Sequence, residues 1–176
     1  MTKPIGFFCA TCGKHHDTLP MDVGVATPIT YDSLPPEERS TRCKLTSDLC
    51  VIDGKEFFIR GCLEIPVTDG PGPFVYGVWV SLSEKNFNRY LELWKDDSAA
   101  NEPSYFGWFC TRLPNYPDTV LLKTHVHLRA GGLRPLIELE PTDHPLAVDQ
   151  RKGIPMDRLM AIVTKLLHQN DAADPR

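Results

Sequence analysis

Cys9 and Cys12, in the run Cys9-Ala10-Thr11-Cys12-Gly13, are the residues best suited to hold a metal ion. Two thiolates two residues apart can share one ion, and a glycine directly after the second lets backbone amides turn towards the sulfurs. This is half of a zinc knuckle. The third ligand is then His15 or His16, and the fourth must come from afar, with Cys43, Cys50, Cys62 and Cys110 as the thiol candidates. Cys50 follows the polar pair Ser47-Asp48 and directly precedes a predicted strand, which would put it at the end of a sheet. Cys110 shares parity with Phe106 and Trp108 and reads as an inert core thiol; Cys62 shares a face with Arg60 and Glu64; Cys43 lies in an unpatterned, charged stretch. The rival chemistry for Cys9 and Cys12 is a redox dithiol, which needs a βαβ setting and a helix starting at the motif. With only eight residues before Cys9 and a glycine at 13, the metal reading is the better supported.

A second set of residues could support catalysis. His125 and His127 alternate on one strand face with Lys123 and Arg129, and His144 or Glu138 could complete a metal or acid–base site with them. The plainer reading is a solvated strand face with a cross-strand His–Glu pair, and for His144 a structural place just before Pro145 at a helix start. Arg60, Arg112, Arg129 and Arg134 could gather into an anion site, although scattered arginines are usually surface residues. If a ligand site exists beyond the cysteines, it is expected around His144, with an anionic substrate. Gly70-Pro71-Gly72-Pro73 is a proline-stiffened turn and not a phosphate-binding loop, and no nucleophile elbow is present.

The elements that must position these residues follow from periodicity. Met21 to Arg42 reads as an ordered loop with a short helical turn near Pro35-Pro36-Glu37-Glu38-Arg39. From Val51 a hairpin is predicted, turning at Asp53-Gly54, with Phe57, Ile59, Leu63, Ile65 and Val67 on its buried face. Phe74 to Leu82 is apolar on both parities, as in a central strand covered on both sides. Ser81-Leu82-Ser83-Glu84 fits a capping box, and Phe87, Tyr90, Leu91 and Trp94 form one helical stripe after it. Tyr105 to Arg112 reads as a strand with Phe106, Trp108 and Cys110 on one face. Thr119 to Arg129 and Leu133 to Glu140 form a hairpin about Gly131-Gly132, in a register that sets Val126 opposite Ile137, Thr124 opposite Leu139, His125 opposite Glu138 and Lys123 opposite Glu140. That register leaves Arg129 facing Arg134 and demands an edge position for Pro135. Pro145 and Pro155 suit first helical positions, opening helices to about Lys152 and about His168; residues 170–176 read as a frayed tail.

The chain has 176 residues, enough for one domain that needs no metal merely to have a core. We therefore expect one domain over 1–169, with a Cys/His knuckle and loop segment over 1–50 and the sheet and helices over 51–169. A net charge of -4 makes nucleic acid a poor partner. The longest apolar runs fall well short of a membrane span, and the first residues lack a signal peptide's apolar stretch, so a cytoplasmic protein with reduced cysteines is expected.

Several segments together resemble the bacterial family called domain of unknown function 2199. They are Phe8-Cys9-x-x-Cys12-Gly13-x-x-His16 with Leu19-Pro20, Leu45 to Cys50, Phe57 to Val67, Gly77 to Ser83, Phe106-Gly107-Trp108, and Glu138 to Ala147. The resemblance implies that His16, not His15, belongs to the cysteine motif and that Cys50 is the fourth ligand, but it supplies no activity. The expected protein is α+β: a mainly antiparallel sheet with packed helices and an N-terminal zinc knuckle, binding Zn²⁺ through Cys9, Cys12, His16 and Cys50. Its expected role is non-catalytic, in interaction or regulation with a protein partner. The alternatives are a small enzyme acting near His144, His125 and His127 and, more weakly, an immunity-type inhibitor of a bacterial toxin.

Overall fold

In the computed structural model, which describes residues 6–9 and 11–169, the elements run in chain order as follows. A two-residue pair, β1 (Phe7–Phe8) and β2 (His15–His16), precedes β3 (Asp22–Gly24), α1 (Ile29–Asp32), α2 (Pro36–Arg42), β4 (Cys43–Leu45) and β5 (Leu49–Ile52). Then come the long strands β6 (Glu56–Ile65) and β7 (Phe74–Leu82), α3 (Glu84–Glu92), β8 (Tyr105–Phe109), β9 (Lys123–His127), β10 (Leu136–Leu139), α4 (Pro145–Lys152) and α5 (Met156–Gln169). Residues 170–176, the expected frayed tail, lie outside the described residues.

Helices and sheets together make the fold α+β, but the sheet is more than the mainly antiparallel one expected. Strands β6, β7, β8, β9 and β10 pair in succession, and β10 returns to β6 in parallel through Leu136 and Cys62, so the five close into a barrel. β3 joins β7, also in parallel, while β5 and β4 extend antiparallel from β6. Closure is possible because the two long strands each divide one edge between two partners. β6 gives Glu56 to Ile59 to β5 and Cys62 to β10; β7 gives Val75 to Gly77 to β3 and Val80 and Ser81 to β8. At Gly61 a Cβ would stand 2.6 Å from Ile137 Cδ1 and 2.9 Å from the Pro135 carbonyl, so the absence of a side chain there admits β10.

The hairpin register between β9 and β10 is the one the sequence predicts: Val126 opposite Ile137, His125 opposite Glu138 and Thr124 opposite Leu139. Pro135 is not at an edge. It stands just before β10, where its missing N–H is not needed and its carbonyl accepts from Cys62 N at 2.8 Å. The feared Arg129–Arg134 clash does not arise, because Arg129 Nε donates to the Arg134 carbonyl while the Arg134 guanidinium turns to Asp48.

β7 is covered on both faces, as its composition demands. Phe74, Tyr76, Val78, Val80 and Leu82 enter the main core, and Trp79 joins a second cluster with Cys50, Ile52, Phe58 and Cys110, its indole donating to the Val25 carbonyl at 3.0 Å. Three local expectations are corrected. The N-cap of α3 is Ser83, whose hydroxyl accepts from Asn86 N, because Ser81 is still paired within β7. Tyr105, Gly107 and Phe109 form the inward face of β8, leaving Phe106 and Trp108 exposed, although Cys110 just beyond the strand is buried as expected. The expected loop over 21–42 contributes β3 to the sheet and the one-turn helix α1, both too brief for periodicity to reveal, while its expected helical turn is present as α2.

Candidate metal centre

The cysteine motif forms the loop of a minimal hairpin. Phe7 pairs with His16 and Phe8 with His15, so the chain must reverse within Cys9 to Lys14. Gly13 adopts φ 66°, a left-handed angle that glycine takes without steric cost, and its amide donates to the Cys9 carbonyl at 2.9 Å while Cys9 N donates to Lys14 O. This reversal folds both sulfurs towards His16. Strand alternation separates the two histidines: His16 stacks on Phe7 with ring centroids 5.0 Å apart, while exposed His15 turns the other way, to Phe8 and Asp17.

The fourth member comes from the other end of the chain. Leu159, Ile162 and Val163 seat α5 against the core, and its last turns carry His168 to the knuckle. His168 Nε2 lies 3.0 Å from Cys9 Sγ, and His16 Nε2 lies 3.5 Å from Cys12 Sγ. Ligand atoms of Cys9, Cys12, His16 and His168 all fall within 4.8 Å of one another, with Cys9 buried and the other three half-buried. Burial is the largest single influence on the Cys9 thiol and pushes it up. The backbone amides of Cys12 and Thr11 and the side chains of His168 and Cys12 together outweigh it, and the thiol falls to about 6. A group of two thiols and two imidazoles can bind a soft or borderline divalent cation through four N/S donors.

Cys50, the fourth ligand implied by the resemblance, is not a member of this group. It pairs opposite Phe58 in β5, fully buried in the cluster around Trp79, where burial pushes its thiol up to about 12. Cys110 occupies the same cluster and is pushed to about 11 by burial. Cys43 packs at that cluster's edge, and the Cys62 thiol lies 3.8 Å from the Arg129 guanidinium. All six cysteines are free thiols. Sequence reasoning missed His168 because it sits just past the apolar stripe of α5, where a histidine reads as a charge complement to the helix end.

The second set of candidates does not assemble. His127 Nε2 meets Glu138 Oε2 at 2.8 Å, a diagonal pair across the hairpin, and His125 stays half-buried beside it. His144 is the N-cap of α4: its Nδ1 accepts from Leu146 N at 3.2 Å, and its buried Nε2 has no partner. Among the described residues, none of the three belongs to a group of three or more converging His, Cys, Asp or Glu atoms. Arg112 stands apart near Asp118, whereas Arg60, Arg129 and Arg134 are linked through Ser47, Asp48 and the Arg134 carbonyl.

Fold and site define a small α+β barrel protein with a Cys/His cluster that could hold a metal ion, joining its first hairpin to its last helix. The chain belongs to the family described as "uncharacterized protein conserved in bacteria (DUF2199)", whose sequence model matches residues 8–154. His168 thus lies outside the matched segment, while Cys9, Cys12 and His16 lie within it. No curated protein matches the chain, and neither does any solved structure. No helix among the described residues is long and apolar enough to cross a membrane.

Proposed function

We propose that Cys9, Cys12, His16 and His168 bind one structural Zn²⁺, and that the protein is a non-catalytic interaction or regulatory module of the cytoplasm. The observation that carries this reading is the convergence of four N/S ligand atoms within 4.8 Å. In a tetrahedral zinc site with Zn–S near 2.3 Å and Zn–N near 2.0 Å, neighbouring ligand atoms stand roughly 3.3–3.8 Å apart. The Cys9–His168 and Cys12–His16 separations of 3.0 and 3.5 Å need only small adjustment to meet this. Four protein ligands fill the tetrahedron and leave no position for water or substrate, which favours a structural over a catalytic ion. Two thiolates also balance the dication, so the filled site is neutral. The engagement of His144 as a helix cap and of His127 with Glu138 gives those histidines structural work, and six free thiols suit a reducing compartment.

Elemental analysis tests the reading directly. Protein purified without chelator should carry about one equivalent of zinc, and both Cys12→Ser and His168→Ala should weaken its retention by tenfold or more, since structural zinc affinity is shared among all four ligands. Cobalt exchanged into the site should give the spectrum of a tetrahedral ion. A metal-free protein with Cys9 and Cys12 in a reversible disulfide would refute the proposal, as would full zinc affinity in His168→Ala.

A further inference from the structure

The loop that carries Cys9 and Cys12 holds two free thiols whose sulfurs stand within 4.8 Å of each other. They differ in access. Cys9 is only 1% exposed and lies in the main core with Phe7 and Leu19, whereas Cys12 is half-buried between exposed Thr11 and Gly13. An open groove of about 660 Å³ runs beside them, lined by Phe8 and Thr11 of the hairpin and by Met160, Thr164 and His168 of α5. A small solute in that groove reaches Thr11, next to Cys12 in the chain, and His168, itself a member of the Cys/His group. The other four thiols are placed differently. Cys50 and Cys110 are closed into the cluster around Trp79, Cys43 lies at its edge, and the Cys62 sulfur faces the Arg129 guanidinium at 3.8 Å.

What the two sulfurs hold together depends on their oxidation state. As thiolates they complete, with His16 and His168, a set of four donors in which Cys9 and His168 are 159 positions apart in the chain. As a disulfide they would close a ring inside the hairpin loop alone, with no constraint on α5. A sulfur bonded to sulfur is also no longer a thiolate, the form that ligates metals. Two imidazoles would remain, half of what a structural zinc site needs. Oxidation therefore exchanges a tie between distant elements for a local one.

We propose that Cys9 and Cys12 are a site of reversible oxidation by hydroperoxides, and that closing their disulfide expels the ion and releases the end of α5 from the first hairpin. This rests on the zinc reading of the same group. In the first step the more accessible Cys12 thiolate attacks the O–O bond of hydrogen peroxide, keeping one oxygen as a sulfenic acid and releasing the other as hydroxide. In the second the Cys9 thiolate attacks the Cys12 sulfur, the S–S bond forms, and the sulfenic oxygen leaves as a second hydroxide. Two electrons pass from the sulfurs to the peroxide, and the neutral zinc dithiolate becomes a disulfide, one Zn²⁺ and two hydroxides. A thiol reductant returns the pair to two thiols, and the ion binds again.

The test starts from the full chain, reduced and loaded with zinc, and titrates it with hydrogen peroxide. Zinc release is followed with a chromogenic chelator, the Cys9–Cys12 bond by peptide mass spectrometry, and the two elements by amide exchange. About one equivalent of zinc should leave for each disulfide formed. Exchange should rise in residues 7–16 and in the last two turns of α5 while β6 to β10 keep their protection, and dithiothreitol should restore both zinc binding and protection. Cys62→Ser, which removes a thiol outside the group, should leave the peroxide dependence unchanged. Cys12→His, which keeps a fourth donor but no second sulfur, should hold zinc at peroxide concentrations that empty the parent; equal zinc loss from it would overturn the proposal. So would zinc release with Cys12 carried irreversibly to the sulfinate, or a disulfide that forms while zinc and the protection of α5 stay, and either result would leave the zinc reading standing. A reduced chain that binds no zinc would overturn both readings together.

Discussion

The His144 imidazole illustrates how a residue that invites a catalytic reading can be occupied by the fold. Pro145 has no N–H to satisfy at the first helical position, so the first amide of α4 that needs a partner is that of Leu146, and His144 Nδ1 supplies it. Asparagine can offer an oxygen at a similar reach. His144→Asn is therefore expected to hold stability within about 0.5 kcal/mol, whereas His144→Ala should lose about 0.5–2 kcal/mol, both read from urea denaturation. Cys9, Cys12 and His16 were legible because their grouping is local, set by one tight turn. His168 was not, because it reaches Cys9 across 159 positions and nothing in its own surroundings marks it as a member of the group. Cys50 misled for a related reason. The polar residues before it suggested a sheet end open to the knuckle, while strand alternation turns its side chain inward onto Trp79.

Between elements, the same division separates local from distant pairing. The β9–β10 register was legible because Gly131 and Gly132, at φ 70° and 71°, fix the turn and the buried parity fixes the rest. The β10–β6 closure was not, since it depends on a single register point between Leu136 and Cys62 and on a glycine whose role is only to be small. Gly61→Ala should cost about 1–3 kcal/mol by pushing Ile137 and the Pro135 carbonyl away, with amide exchange rising first along β10. A second tie joins α2 to the β5–β6 turn, where Arg42 bridges Glu38 and Asp53 at 2.6 Å each. Hydrogen bonding to Arg42 holds the Asp53 carboxyl below its usual range. A carboxyl depressed in the folded state stabilises fully above its unfolded pKa of about 3.9, and that contribution disappears as pH falls through the lower folded value. Asp53→Asn tolerates the left-handed φ of 52° and should be less stable than the parent at neutral pH, the gap closing below about pH 4 in acid-denaturation curves.

Across the whole molecule, the cysteine group joins the first hairpin to the last helix. Among the described residues, β1 and β2 pair only with each other, and β3 to β10 make up the eight-stranded sheet. Phe7, Cys9 and Leu19 touch the main core, α5 anchors there through Leu159, Ile162 and Val163, and His168 brings the helix end to Cys9 and to the His16 ring. A bound ion would therefore act as a clasp between the first and last elements and not as the source of the core, which the barrel supplies from Ile59 to Leu139. Chelation should then raise amide exchange in residues 7–16 and in the last two turns of α5, while β6 to β10 keep their protection. Because β3, from the expected loop segment, is a strand of the main sheet, residues 22–24 should remain protected with it, which places the boundary of the loosened region before Asp22 and well before Cys50. The barrel should still unfold in one transition after chelation, at a lower midpoint. Loss of protection throughout β6 to β10 on chelation would instead mean that the ion holds the core together, and the clasp would have to be redrawn as a folding nucleus.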